Sequence, residues 1–222
     1  MPVRVVVEEA PKRSFASAVD WPGWTRAGKT PDAALEALVE YAPRYATVAR
    51  RARQPFTVPG DVAELKIVER LRGGGGTEFG VPGEAAGIED EPVDDAELRR
   101  LTALLRAAWR QLDDIAAGAR GVELRKGPRG GGRDLDKILA HVHDAETAYL
   151  GQLGARPPQT SDMGTIRDAF LDTLDARVTG RPIESPRRTK RPWSPRYAVR
   201  RAIWHVLDHT WEIEDRSVRS GG

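Results

Sequence analysis

The 222-residue chain contains no cysteine. This excludes disulfides, a thiolate nucleophile and every cysteine-based zinc site, so any thiol chemistry must use a thiol brought from outside. Net charge is nearly absent as well: 35 Lys and Arg face 33 Asp and Glu, leaving +2. A protein that tracks phosphates shows a long basic run, and the densest run here, SPRRTKRPWSPRYAVRR at 185–201, is broken by prolines. It reads as a solvated loop and helix start, with an anion-binding patch as the alternative. No apolar stretch approaches the roughly 20 residues of a membrane span. The opening MPVRVVVEEAPKR carries an acidic pair after its short apolar run, unlike a secretory signal. These absences point to a cytoplasmic protein without nucleic-acid or membrane partners. Histidine is also scarce. There are four, and all lie in two short stretches, LAHVHDAETAYL (139–150) and AIWHVLDHTWEI (202–213).

The first ninety residues and the remainder follow different periods. VRVVVEEA (3–10) and SFASAVDWPGW (14–24) carry β-branched and aromatic residues followed by turn-formers, which predicts two strands. From Thr30, a plausible N-cap before Pro31, the spacing of Leu35, Leu38, Tyr41 and Tyr45 predicts one helix through TPDAALEALVEYAPRYATVARRA. VAELKIVERLRG (62–73) returns to strand-like alternation, and TEFGVPG (77–83) reads as a short added strand. The glycine run at 73–76 reads as a turn with no helix after it, hence no phosphate cradle. GEAAGIEDEPVD (83–94) is acidic and aperiodic and reads as a linker.

Beyond the linker every segment is helical in pattern. Helices are expected over 94–121, 134–154, 161–180 and 194–217. Asp94 with Glu97, Asp134, and Ser194 with Pro195 mark starts, while Gly154 and Gly180 mark stops. Four amphipathic helices joined by Gly/Pro loops predict a four-helix bundle.

His205 and His209 stand four apart, one turn apart on one helical face, and can present two imidazoles to one ion. Two ligands hold a metal poorly, and the third must come from 134–154, the only other helix with histidine. His141 and His143 project about 200° apart, and periodicity does not choose between them. Three histidines leave an open position, as in a catalytic rather than a structural site. On the last helix the apolar stripe is Val199, Ile203, Val206, Thr210 and Ile213, with His209 at its edge and His205 beyond it. A half-exposed surface pair is therefore the competing reading. Trp204 and Trp211 read as packing residues.

Two resemblances extend this reading. DWPGWTRAGKTPDAALEAL (20–38) resembles the HicB-like unit in its strand end at Pro22-Gly23, its turn through Gly28 and its helix start at Thr30-Pro31. The region 94–217 is similar to the DinB/YfiT-like superfamily of metalloenzyme bundles. HVHDAE matches its second-helix motif, with His141 first, Asp144 fourth and Glu146 sixth, and RRAIWHVLDHTWEI matches its last-helix HxxxH. Together they imply an α+β chain: a β-β-α-β unit over 1–90, then a four-helix bundle over 91–222.

The DinB resemblance implies His141, His205 and His209 as metal ligands, zinc or nickel as the divalent metal, and Glu146 as a candidate catalytic residue. Asp144, Asp208 and Tyr149 are candidate neighbours of the site, and His143 falls outside the ligand set. The activity implied is thiol-dependent S-transfer or isomerisation of a small-molecule substrate with a low-molecular-weight thiol as co-substrate, or metal-dependent hydrolysis, and both resemblances admit a homodimer. The alternative is a non-catalytic, stress-related or partner-binding protein.

Overall fold

The computed structural model describes residues 2–126 and 132–217. The chain forms two compact units, residues 1–107 with 194–204, and 108–193 with 205–222. The end of the region expected as a bundle, 218–222, lies outside the described residues. The fold is mixed α+β, and no described helix is long and apolar enough to cross a membrane.

In the first unit β1 (Val3–Ala10), β2 (Arg13–Ala18), β3 (Thr25–Gly28) and β4 (Leu65–Arg72) form one sheet in the order β3-β2-β1-β4. β1 and β2 are an antiparallel hairpin, β3 is antiparallel to β2, and β4 runs parallel to β1 with a register shift between Val5 and Val6. A parallel neighbour needs a crossover, supplied by α1 (Pro31–Glu40) and α2 (Ala42–Arg51). Thr30 caps α1 by accepting from the Ala33 amide. Trp24 and Tyr45 are fully buried, stack at 5.8 Å, and send their polar tips to the carbonyls of Leu38 and Pro22. Large aromatic area is thus removed from water with no polar atom stranded.

Five expectations for this part need correction. The β-β-α-β order lacks a strand: the four residues after Trp24 pair with β2 as β3. The helix from Thr30 breaks at Tyr41, because Pro43 has no N–H to donate to the Val39 carbonyl. Residues 77–83 are not a strand, and a helix does follow the first glycines: Gly75–Phe79 is the short helix α3, closed by Gly80 at φ +112. It is held by the buried Thr77, whose hydroxyl accepts from the Gly74 amide and donates to the Glu8 carboxylate. The aperiodic segment 83–94 is pinned rather than loose. Glu8 accepts from the amides of Gly83 and Glu84, Tyr197 donates to the Gly83 carbonyl, and buried Glu89 pairs with Arg200 at 2.6 Å.

The long helices are α4 (Asp95–Gly118), α5 (Leu135–Leu153), α6 (Met163–Thr179) and α7 (Pro195–Arg216). Residues 95–107 of α4 and 195–204 of α7 belong to the first unit, and the rest of each belongs to the second. Asp134 caps α5 through the Lys137 amide and Asp162 caps α6 through the Thr165 amide; left-handed Gly154 and Gly180 end them. Leu112, Ile138, Val142, Leu174, Val206 and Ile213 are fully buried in the second unit, and Trp109 meets Phe170 edge-on at 6.3 Å. Along 205–213 of α7 every residue is buried except Asp208 and Glu212.

A methyl group at Gly28 would overlap the backbone nitrogen of Ala34, whereas at Gly75 it would meet nothing within 4 Å. Gly28→Ala should therefore lower unfolding free energy by about 1–3 kcal/mol, and Gly75→Ala should change it by less than about 0.5 kcal/mol. Urea unfolding of the two variants measures the contrast.

Candidate metal centre

α7 presents His205 and His209 one turn apart, and α5 contributes His141. The imidazole nitrogens of these three lie within 4.8 Å of one another. Nε2 of His205 stands 3.2 Å from Nε2 of His141, and the three ring centroids are 4.6–5.0 Å apart. Tetrahedral zinc with ~2.0–2.1 Å bonds separates neighbouring ligand nitrogens by roughly 3.3 Å, so this spacing suits a shared ion. His205 and His209 are 7% and 8% exposed, and His141 is half-buried, giving the cluster its contact with solvent. The pair on α7 is therefore not a surface coincidence. Trp204 and Trp211 are buried packing residues, as their spacing suggested.

Protonation state matters because only neutral imidazole binds a metal. Burial, reinforced by the positive charge of Arg133, holds the His141 pKa below the usual histidine value. His209 Nδ1 lies 2.8 Å from Glu212 Oε2. With the proton on Nδ1 donated to that carboxylate, the Nε2 lone pair is free for a ligand bond, the tautomer a metal requires. The bond from His209 is also the first cause that keeps the Glu212 pKa low. Arg216 grips the other Glu212 oxygen and donates to the carbonyls of Arg125 and Arg133. Glu212 was not singled out from sequence, although its signal was present: a carboxylate three residues after a ligand shares that ligand's helical face.

Of the other candidates, Tyr149 alone has a ring contact with the cluster among the described residues. Asp144 is exposed and sits beside His143, and Asp208 is half-buried. Tyr149 packs edge-on against His205 at 5.8 Å and meets Trp193 at 5.1 Å. His143 lines a cavity of about 470 Å³ with Arg120, Asp113 and Arg167, and none of the clustered histidines lines it. Glu146 is 2% exposed and turned to Arg167, whose Nε is 3.3 Å from Oε2 and whose Nη1 bonds Asp113 at 2.8 Å. Burial pushes the Glu146 pKa up to about 7 against the opposing charge of Arg167. Its Oε1 is buried without a hydrogen-bond partner.

The donor set fits a divalent ion. Three imidazole nitrogens suit zinc, nickel, iron or copper and give no preference for the harder magnesium or calcium. Comparison with protein-family models, with curated proteins and with solved structures finds no match for this chain.

Two predictions follow from these environments. Glu212→Gln should weaken divalent-metal binding about 10- to 100-fold, read by competition with a chromophoric chelator. Glu146, protonated more readily folded than unfolded, should make stability fall as pH rises from its ordinary value of 4.5 toward 7. Glu146→Gln should flatten that fall, worth on the order of 3 kcal/mol, in urea titrations at pH 5 and pH 8.

Proposed function

We propose that the chain is a metal-dependent enzyme of the DinB type, with His141, His205 and His209 holding one zinc or nickel ion. In this reading residues 91–222 are the catalytic bundle and 1–90 a HicB-like appendage. The reaction class is S-transfer or isomerisation with an exogenous low-molecular-weight thiol as co-substrate. The observation that carries the proposal is the 3.2 Å approach of His141 to His205 beside a His209 backed by a carboxylate. A purely structural histidine cluster has no need of that carboxylate, whereas a ligand is oriented and made more basic by it.

A divalent ion at three histidines supplies Lewis acidity, so that a thiol or water reaching it ionises near neutral pH. The chain's own groups prepare that position. Partial desolvation and the nearby charge of Arg133 favour the neutral form of His141. Glu212 fixes the proton on His209 Nδ1, and Arg216 fixes Glu212. Tyr149 and Trp193 form an aromatic wall beside His205, suited to holding an apolar part of a substrate. The absence of cysteine leaves no internal thiol to compete with the co-substrate. Glu146, turned to Arg167, ties α5 to α6 and acts as a positioning residue in this scheme.

The protein purified without chelators should carry about one equivalent of divalent metal by elemental analysis. His205→Ala should reduce this below about a tenth of an equivalent while the far-ultraviolet circular dichroism stays helical. Loaded protein should consume a small thiol in the presence of an electrophile, and the variant should not. Full metal occupancy with no thiol consumption would favour the non-catalytic alternative.

A further inference from the structure

The basic run has no part in the metal centre. Across residues 184–191 four cations, Arg187, Arg188, Lys190 and Arg191, face a single carboxylate, Glu184, in a chain whose whole excess is +2. All four cations are exposed, and no hydrogen bond or ion pair to their side chains occurs among the described residues. The backbone around them is nonetheless fastened. Arg156 donates to the Ser185 carbonyl at 2.7 Å, Arg187 to Gly154 at 2.8 Å and Trp193 to Gln152 at 2.9 Å, so the charged stretch hangs between two attachments on the C-terminal end of α5.

Part of this charge has a structural explanation. The negative end of a helix dipole attracts a cation. Arg187 meets that need, lying so close over Gly151 that a methyl group there would overlap its guanidinium. Arg188, Lys190 and Arg191 exceed it. Crowding like charges on a tethered loop is unfavourable unless an anion offsets them, and the tethering lowers the ordering cost of binding one. The loop runs directly into Trp193, which touches Tyr149, which touches His205.

We propose that loop 187–191 is the anion-binding end of the substrate site. A ligand anchored by its coordinating atom at the histidines lies along Tyr149 and Trp193 and places a phosphate- or carboxylate-bearing end among the three surplus cations. The substrate class is thus a small molecule with a metal-binding atom at one end and two or more negative charges at the other. This rests on the metal-site reading.

The test uses the full chain loaded with Co(II) and two thiol probes with the same arm, coenzyme A, which ends in phosphates, and pantetheine, which has none. Binding is followed by the cobalt–thiolate absorption. Coenzyme A should bind at least about tenfold more tightly at low ionic strength, and the advantage should shrink as salt screens the loop. Arg188→Glu with Arg191→Glu should bring coenzyme A down to the affinity of pantetheine. Should the charge reversal disturb cobalt uptake, Arg188→Gln with Arg191→Gln gives the same comparison, with a partial loss expected. Equal affinities in the native chain, or an advantage untouched by both double variants, would overturn the loop's role while leaving the metal site intact. Failure to take up Co(II) at all would overturn the metal reading and this inference with it.

Discussion

Three imidazole rings with centroids 4.6–5.0 Å apart, two of them with Nε2 atoms 3.2 Å from each other, cannot all become imidazolium without a large electrostatic cost. Two charged rings in that position would repel strongly in a medium that screens poorly, and desolvation adds to the penalty. The cost falls visibly on His141, whose pKa burial holds below the ordinary histidine value. Such a centre is relieved by a shared proton or by a cation, and a divalent ion relieves all three rings together. Much of the second unit serves this one constraint. α7 is buried along 205–213 except at Asp208 and Glu212, which keeps both of its histidines out of water. The cap at Asp134 and the left-handed stop at Gly154 bound the helix that carries the third.

The polar chain from His209 to Glu212 to Arg216 extends the centre to the carbonyls of Arg125 and Arg133. The three surviving roles of a carboxylate near a metal are to coordinate, to orient or to move protons, and Glu212 is placed for orientation. Glu146 shows the opposite arrangement. It lies on the same helix as His141, yet its carboxylate is spent on Arg167, and its raised pKa is a consequence of burial. Perturbed titration marks a functional group only when geometry agrees.

The helical part was legible because its signals are local. Capping residues, stop glycines and three-to-four spacing act within one or two turns, and they placed α5, α6 and α7 within a residue or two of their observed ends. The HxxxH pair was legible for the same reason, since helical geometry alone puts His205 above His209. What could not be read depends on distant partners. β3 exists only because β2 offers it an edge. α3 forms because Thr77 finds Glu8 on β1. The acidic segment 83–94 has no periodicity because single contacts hold it, Glu89 to Arg200 above all. The break at Tyr41 was the exception, a local signal overlooked, since Pro43 is visible in the chain. Burial of the histidine pair could not be decided from one helix, because it depends on what covers both sides of α7.

In the proposed site, a coordinating centre at one end, an aromatic wall beside it and a charged loop beyond would divide recognition from chemistry in space. Each part is modest alone, and the histidines decide whether the others have a purpose. The most direct check is X-ray absorption at the zinc edge of the zinc-loaded protein. The three-histidine centre predicts a first shell dominated by three imidazole nitrogens at about 2.0–2.1 Å, lost in a His141→Ala variant. A shell of oxygen atoms without imidazole scattering, unchanged by that substitution, would contradict it.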